Sequence, residues 1–371
     1  MAKANPTHSL GQLLMVGFGG VDLSSRTAAL LNHIQPAGVI LFARNIKSPR
    51  QTFELLKACQ SCVSLPLFTC VDLEGGNVDR LREVLGSTPS AAEVFATGNR
   101  RLYNKHGRII GENCRALGFN TDLAPVVDLA SEASKKVMGS RAVSADPKQV
   151  VLYAREFLAG LKSVGMVGCG KHFPGLGEAN LDTHFDLPRV RKSWKKLWQE
   201  DLYPYRELRN QLPMVLISHA GYPSVTAENT PASLSKKWIT DILRKRIGYR
   251  GLVLSDDLEM GGVLKAAPIE QAAIQFLRAG GDIALVCHKE EHVERCYEAV
   301  VEKAATDRKF AARAEESIRR VLAFKRRCKI RKLTKAAPTA MVTDKLSRQL
   351  WEFAEQIRLE SLQQATARDR T

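Results

Sequence analysis

Eight short runs of apolar and β-branched residues recur along the chain, at 14–18, 38–42, 66–71, 119–123, 165–169, 214–218, 251–255 and 282–286. Most are separated by stretches with helical periodicity, such as 48–61, 148–163 and 236–247. Runs that are apolar on both faces and alternate with amphipathic segments are how a parallel sheet with crossover helices reads. Eight such units predict a TIM (β/α)8-type barrel of the α/β class, with a doubly wound open sheet as the alternative. The barrel domain is expected over residues 1–333. Beyond it, 334–371 read as a polar, partly helical C-terminal tail, its helix near 347–360 carrying Leu350, Phe353, Ala354 and Ile357.

A barrel presents its functional groups after the C-terminal ends of its strands, so the residues following each run matter most. They are polar almost throughout: Arg44 and Asn45, Asp72 and Glu74, Asp128, Lys171 and His172, His219, Asp256 and Asp257, then His288. A single acidic residue there is commonly the cap of the next helix. Repetition across seven loops points to a polar site at one end. Asp256, directly off the seventh run, suits either a rigid nucleophile or a helix cap, and Asp257 is the better placed of the two for capping. Lys171 and His172 open a loop with Pro174, Gly175 and Gly177, a composition suited to a lid over the site. Further along, Asp182 and His184 are spaced so that the carboxylate can orient the imidazole as an acid/base pair, or they are simply surface residues. Lys171 has a second reading, as a Schiff-base amine of aldolase type.

The formal net charge of +16 raises the question of nucleic acid. Much of the excess falls in 308–335, where twelve Lys or Arg face two Glu. Phe310, Ala314, Ile318, Val321, Leu322 and Phe324 keep an apolar stripe there, so the basic residues read as the solvated face of a docked helix and no nucleic-acid partner is expected. No apolar run of signal-peptide or membrane-spanning length stands out, and the eight cysteines are scattered. A cytoplasmic protein is expected, either a monomer or a weak homodimer. Cys59 and Cys62 form a C-x-x-C without a second pair, so no metal and no organic cofactor are expected.

Several motifs together resemble glycoside hydrolase family 3 over residues 10–327. They are Asp72-Leu73-Glu74-Gly75-Gly76 with Arg80, Gly139-Ser140-Arg141, the Lys171 to His184 loop, Ser218-His219-Ala220-Gly221-Tyr222-Pro223, and Ser255-Asp256-Asp257-Leu258. Within the family the chain is similar to the single-domain bacterial β-N-acetylglucosaminidases of cell-wall recycling. The resemblance implies that Asp256 is the nucleophile of a retaining mechanism and that His184, held by Asp182, is its acid/base. It also implies that Asp72, Arg80, Arg141, Lys171 and His172 bind a terminal N-acetylglucosamine of a small carbohydrate or muropeptide. Leu176 departs from the family, which usually has His between the two glycines, and Asn77 stands where a basic residue is common. A β-glucosidase, a glycoside phosphorylase and a catalytically silent muropeptide-binding barrel are the competing functions.

Overall fold

The computed structural model describes residues 10–177, 188–226 and 230–368. Eight parallel strands close into a barrel: β1 (Leu14–Val16), β2 (Gly38–Leu41), β3 (Phe68–Val71), β4 (Thr121–Asp122), β5 (Val167–Phe173), β6 (Met214–Ile217), β7 (Leu252–Asp257) and β8 (Ile283–Val286). Each strand pairs with its neighbours in sequence, and β1 closes the ring against β8 with Met15 opposite Leu285. The barrel expected from the hydrophobic runs is thus the fold, and all eight runs contain a strand. Two strands run further than their apolar stretches do. β5 continues through Lys171 and His172, which belong to the ladder and not to the loop, and β7 carries Asp256 and Asp257 at its end.

Period-two alternation fills the interior. Phe68 and Cys70, Val167 and Cys169, Met214 and Leu216, Leu252 and Leu254, and Ile283 and Leu285 point inward as one buried cluster. Their alternate neighbours face the helical ring. Around the barrel lie α1 (Ser25–Ile34), α2 (Pro49–Ser61), α3 (Arg100–Ala116), α4 (Pro147–Ser163), α5 (Lys237–Arg246), α6 (Ile269–Ala279), α7 (Glu290–Thr306) and α8 (Arg308–Arg327). Ser24, Ser48 and Asp146 cap α1, α2 and α4 through their side chains, and Pro49 and Pro147 occupy first-turn positions where a missing N–H costs nothing. Phe324 and Val321 of α8 close the bottom of the inner cluster. Beside them burial pulls the Lys325 amine down to about 7, with Nζ 2.8 Å from Gln12 Oε1.

The C-terminal helix α9 (Ala340–Arg368) is longer than the sequence pattern marks, and it docks on the barrel's outer ring. Leu350, Phe353 and Ile357 form its buried face, and Phe353 stacks on the His106 ring of α3 at 5.8 Å. Trp351, Leu359 and Leu362 stay exposed. Among the described residues no helix is long and apolar enough to cross a membrane.

Candidate active site

The site is assembled at the C-terminal ends of the strands, beginning after β3. Asp72 leaves the strand, and residues Leu73–Gly75 pair back on Val78–Asp79 in a small hairpin. Gly75 makes that turn with φ +85°, and a Cβ there would stand 2.1 Å from the Pro89 carbonyl oxygen, so only glycine fits. From the floor, Asp122 Oδ1 accepts the Leu73 N–H at 3.0 Å. Burial, with Asp72 and Glu74 nearby, pushes the Asp122 carboxyl well above its ordinary range. The turn thereby sets Asp72 and Glu74 beneath the mouth of β5.

There Lys171 Nζ lies 2.5 Å from Asp72 Oδ1 and 2.5 Å from Glu74 Oε1. Arg141 completes the cluster by donating to both Glu74 oxygens at 2.7 Å each, a fork-to-carboxylate geometry. Burial alone would raise Glu74, but Arg141 and Lys171 overcome it and hold the carboxyl far below the carboxylate range. By the same pairing Lys171 rises above the ordinary lysine value in spite of its burial. A permanently protonated amine is no nucleophile, which removes the Schiff-base reading of Lys171. Arg80 stands at the rim, 3.8 Å from Asp72 Oδ2.

His172, whose peptide bond to Lys171 is cis, is fixed by Asp128. Asp128 Oδ2 accepts from His172 Nδ1 at 2.7 Å and from its backbone N–H at 3.1 Å, while Oδ1 accepts the Leu176 N–H at 2.7 Å. Since the carboxylate can only accept, Nδ1 carries a proton, and Nε2 lies 3.4 Å from Arg141 Nη2. One carboxylate thus orients both the imidazole and the first turn of the following loop. Gly175 enters that loop at φ +135°, where a Cβ would meet Asp201 at 2.7 Å.

Across the barrel mouth, Asp256 ends β7. Its Oδ1 accepts the Asp257 N–H at 2.9 Å, and its other oxygen has no hydrogen-bond partner among the described residues. Asp257 is held much more tightly. His288 Nε2 is 3.0 Å from its Oδ2, the Glu259 N–H bonds Oδ1 at 3.0 Å, and His219 Nε2 donates to its carbonyl at 2.9 Å. Ser233 hydrogen-bonds the other ring nitrogen of His219 at 2.7 Å, and burial lowers the His219 pKa, so that ring is neutral. Asp257 therefore does not cap the following helix, which starts at Gly261 with Met260 at the cap position. A cavity of about 470 Å³ connects Asp256, Asp72, Arg80, Arg141 and His172, walled on one side by Met138 and Leu176.

Of the residues singled out in the sequence, Asp72, Arg80, Arg141, His172 and Asp256 line one cavity, and Lys171 lies immediately beneath it. Asp182 and His184 lie outside the described residues. Asp128, His219 and His288 were visible only as polar residues after strands, and their clamping roles depend on partners up to 48 positions away. Glu74 sits inside a quoted motif, yet nothing local marks it as the most enclosed carboxylate of the cluster. Among the described residues no group of three or more His, Cys, Asp or Glu side chains is arranged to hold a metal ion.

A strand-end cavity with paired charges fixed on one wall and a carboxylate on the other stands where a barrel enzyme carries its active site. The model of the glycosyl hydrolase family 3 N-terminal domain matches residues 7–324. A β-hexosaminidase of Alkalilimnicola ehrlichii is 37% identical over 287 residues, covering 76% of this chain and 82% of that protein. Another from Bordetella avium is 37% identical over 284 residues, 74% and 80% of the two chains. Among solved structures, a family 3 β-N-acetylglucosaminidase from Paenibacillus sp. str. FPU-7 superimposes with TM-score 0.87 at 30% identity, over 95% of this chain and 69% of that one. A β-N-acetylhexosaminidase from Beutenbergia cavernae gives TM-score 0.79 at 27% identity, over 88% and 99%. The chain belongs to glycosyl hydrolase family 3, and it is a glycoside hydrolase.

Proposed function

We propose that the protein is an exo-acting, retaining β-N-acetylglucosaminidase that removes terminal β-linked N-acetylglucosamine from peptidoglycan fragments, with N-acetylglucosaminyl-anhydro-N-acetylmuramic acid as the intended substrate. The observation that carries this reading is the placement of Asp256, whose carboxylate faces the Asp72, Arg80, Arg141 and His172 wall across one cavity. Similarity to relatives named β-hexosaminidase and β-N-acetylglucosaminidase supports the aminosugar. On this reading Lys171, His172, Arg141, Arg80 and Asp72 hold the hydroxyls of the non-reducing sugar, and Asp256 attacks the anomeric carbon. As the Asp256 C–O bond forms, the glycosidic C–O bond breaks and His184, oriented by Asp182, protonates the departing oxygen. Water then attacks the glycosyl ester, His184 takes its proton, and Asp256 is released. No metal or organic cofactor enters these steps. A cytoplasmic location fits such a recycling role.

The test is release of 4-nitrophenol from the β-N-acetylglucosaminide against the β-glucoside, by the intact protein and by Asp256→Ala, with and without phosphate. Selective cleavage of the aminosugar that falls by at least about 10³-fold in the variant, and does not depend on phosphate, is the expected result. Full activity in the variant would remove Asp256 from the mechanism. Strict dependence on phosphate would make the enzyme a phosphorylase, and failure to turn over either substrate would leave a binding barrel.

A further inference from the structure

The opposite end of the barrel holds a second cavity, of about 610 Å³, between α5, the first turns of α8 and the chain entering β7 and β8. Its floor is built from three guanidiniums that share one buried carboxylate. Arg244 Nη2 lies 2.5 Å and Arg313 Nη2 3.5 Å from Asp282, and Arg320 also pairs with it. Glu316 takes a second contact from Arg313 at 2.6 Å and from Arg320 at 2.5 Å. Above this floor, Lys236, Lys245, Arg250, Arg278 and Lys309 form the rim, with Asp307 as its acidic member, paired to Arg278 at 2.5 Å. Lys245 is paired to Asp241 at 3.2 Å, so eight basic side chains meet four acidic ones, leaving four positive charges around a single concavity.

Helix chemistry accounts for part of this. Arg244 and Lys245 are in the last turn of α5, where cations offset the carbonyl end of the helix dipole. Arg278 is likewise in the last turn of α6, but helix chemistry does not account for Lys236, Arg250 and Lys309, which converge on the same rim from three separate segments. Lys236, Arg250 and Lys309 have no side-chain hydrogen bond or ion pair among the described residues. Burial, with Arg320 and Arg313 alongside, pulls Arg244 below the ordinary arginine value even though Asp282 opposes the shift. The charge at this end is under-compensated within the chain. It is also part of the +16 excess, for which the glycosidase reading has no use.

We propose that this basal cavity binds a compact oligophosphate, either a free inorganic chain or the phosphate chain of a nucleotide. Its volume is that of a small-molecule site. Guanidinium forks below and ammonium groups above suit a short run of phosphates, whose oxygens accept from several directions at once. A concave opening walled by side chains suits such a ligand better than a duplex, which requires an open face or ridge. The chain enters β7 and β8 here, so the site is at the far end of the barrel from Asp256 and is independent of the hydrolase mechanism.

Inorganic tripolyphosphate and ATP are titrated separately into the intact protein by calorimetry at low ionic strength. The rim variant Lys236→Glu/Arg250→Glu/Lys309→Glu is compared with Lys148→Glu/Lys195→Glu/Lys345→Glu, which makes the same charge change at exposed positions elsewhere. Expected are one site per chain, at least about a tenfold loss of affinity in the rim variant beyond that of the control, and weaker binding as salt rises. Hydrolysis of the 4-nitrophenyl substrate should be unchanged in both variants, which keeps this result separate from the glycosidase assignment. Equal affinity for the two probes assigns recognition to the phosphates, and tighter ATP binding adds a contribution from the nucleoside. The proposal is overturned by no binding, by equal loss in the two variants, by several weak sites, or by tighter capture of duplex DNA than of either probe.

Discussion

Glu74→Gln tests the electrostatic core of the active site. The substitution keeps the side chain's shape and removes the charge that two cations share. Glu74 is 4% exposed, receives both Arg141 bonds at 2.7 Å, and lies 2.5 Å from Lys171. Breaking a buried pair by deleting one partner costs about 3–5 kcal/mol, and because Asp72 still faces Lys171 the lower end, about 3 kcal/mol, is expected. In a chain of this size that is about 4 °C in Tm, or a lowered urea midpoint with an unchanged slope. The pH dependence supplies a second readout. Because the folded-state pKa of Glu74 is depressed, its contribution is complete above the unfolded value near about 4.3 and is lost as pH falls through the folded value. The gap between the two proteins should therefore be constant from pH 6 to 8 and shrink only in strong acid. With Arg141 and Lys171 no longer fixed, KM for the 4-nitrophenyl aminosugar should rise at least about tenfold. A variant within about 0.5 kcal/mol of the parent at pH 7, with unchanged KM, would refute both the ionised state of Glu74 and its place beneath the sugar.

Three further outcomes can be checked with the same assays. Asp128→Asn leaves His172 free to adopt the other tautomer and should cost at least about tenfold in kcat/KM with less than about 2 kcal/mol of stability; unchanged kinetics would show that His172 does not touch substrate. Leu176→His places an imidazole in an apolar wall that is 3% exposed, and a loss of about 1–3 kcal/mol in urea unfolding is expected, against none if the ring finds a polar partner there. His288→Asn removes a ring whose pKa is raised by its hydrogen bond to Asp257, so its stabilisation is present at pH 6 and disappears as pH rises through the folded value. The ring is half exposed, so the gap in thermal stability should correspond to no more than about 0.5 kcal/mol at pH 6 and vanish at pH 9; a gap that persists at pH 9 would assign the effect to packing.

The barrel was legible because its strands are buried on both faces and write themselves as uninterrupted apolar runs. The ends of β5 and β7 were not, since Lys171, His172, Asp256 and Asp257 look like loop residues to any hydrophobicity rule. They remain in the ladder because partners supplied by other strand ends, Asp72 and Glu74 for Lys171 and Asp128 for His172, remove the cost of burying them. Those partnerships join positions 44 to 99 residues apart, and no local pattern records them. The same limit explains Asp257, read as a helix cap from its position after a strand and found instead between His288 and His219. For α9 the error lay in length. Residues 340–346 carry little apolar periodicity, and the docked face at Leu350, Phe353 and Ile357 extends the helix in both directions.

The adjacent carboxylates of β7 show how the fold separates two chemically identical groups. Asp256 and Asp257 share a strand end, where two like charges repel. Asp257 is pinned by an imidazole on its side chain and another on its carbonyl, whereas among the described residues Asp256 retains one backbone hydrogen bond and an open oxygen. Asp257 is thereby made a support for Asp256, the proposed nucleophile, and its N–H orients the carboxylate that faces the cavity. On the far wall the pattern is reversed, because Lys171, Arg141, Asp72 and Glu74 beneath the proposed sugar site are each matched by an opposite charge at hydrogen-bond distance, with Arg80 3.8 Å from Asp72 at the rim. On the proposed mechanism, a neutral substrate entering such a cavity meets polar groups already held in place on one side and the proposed nucleophile Asp256 on the other, so little reorganisation remains for the reaction itself.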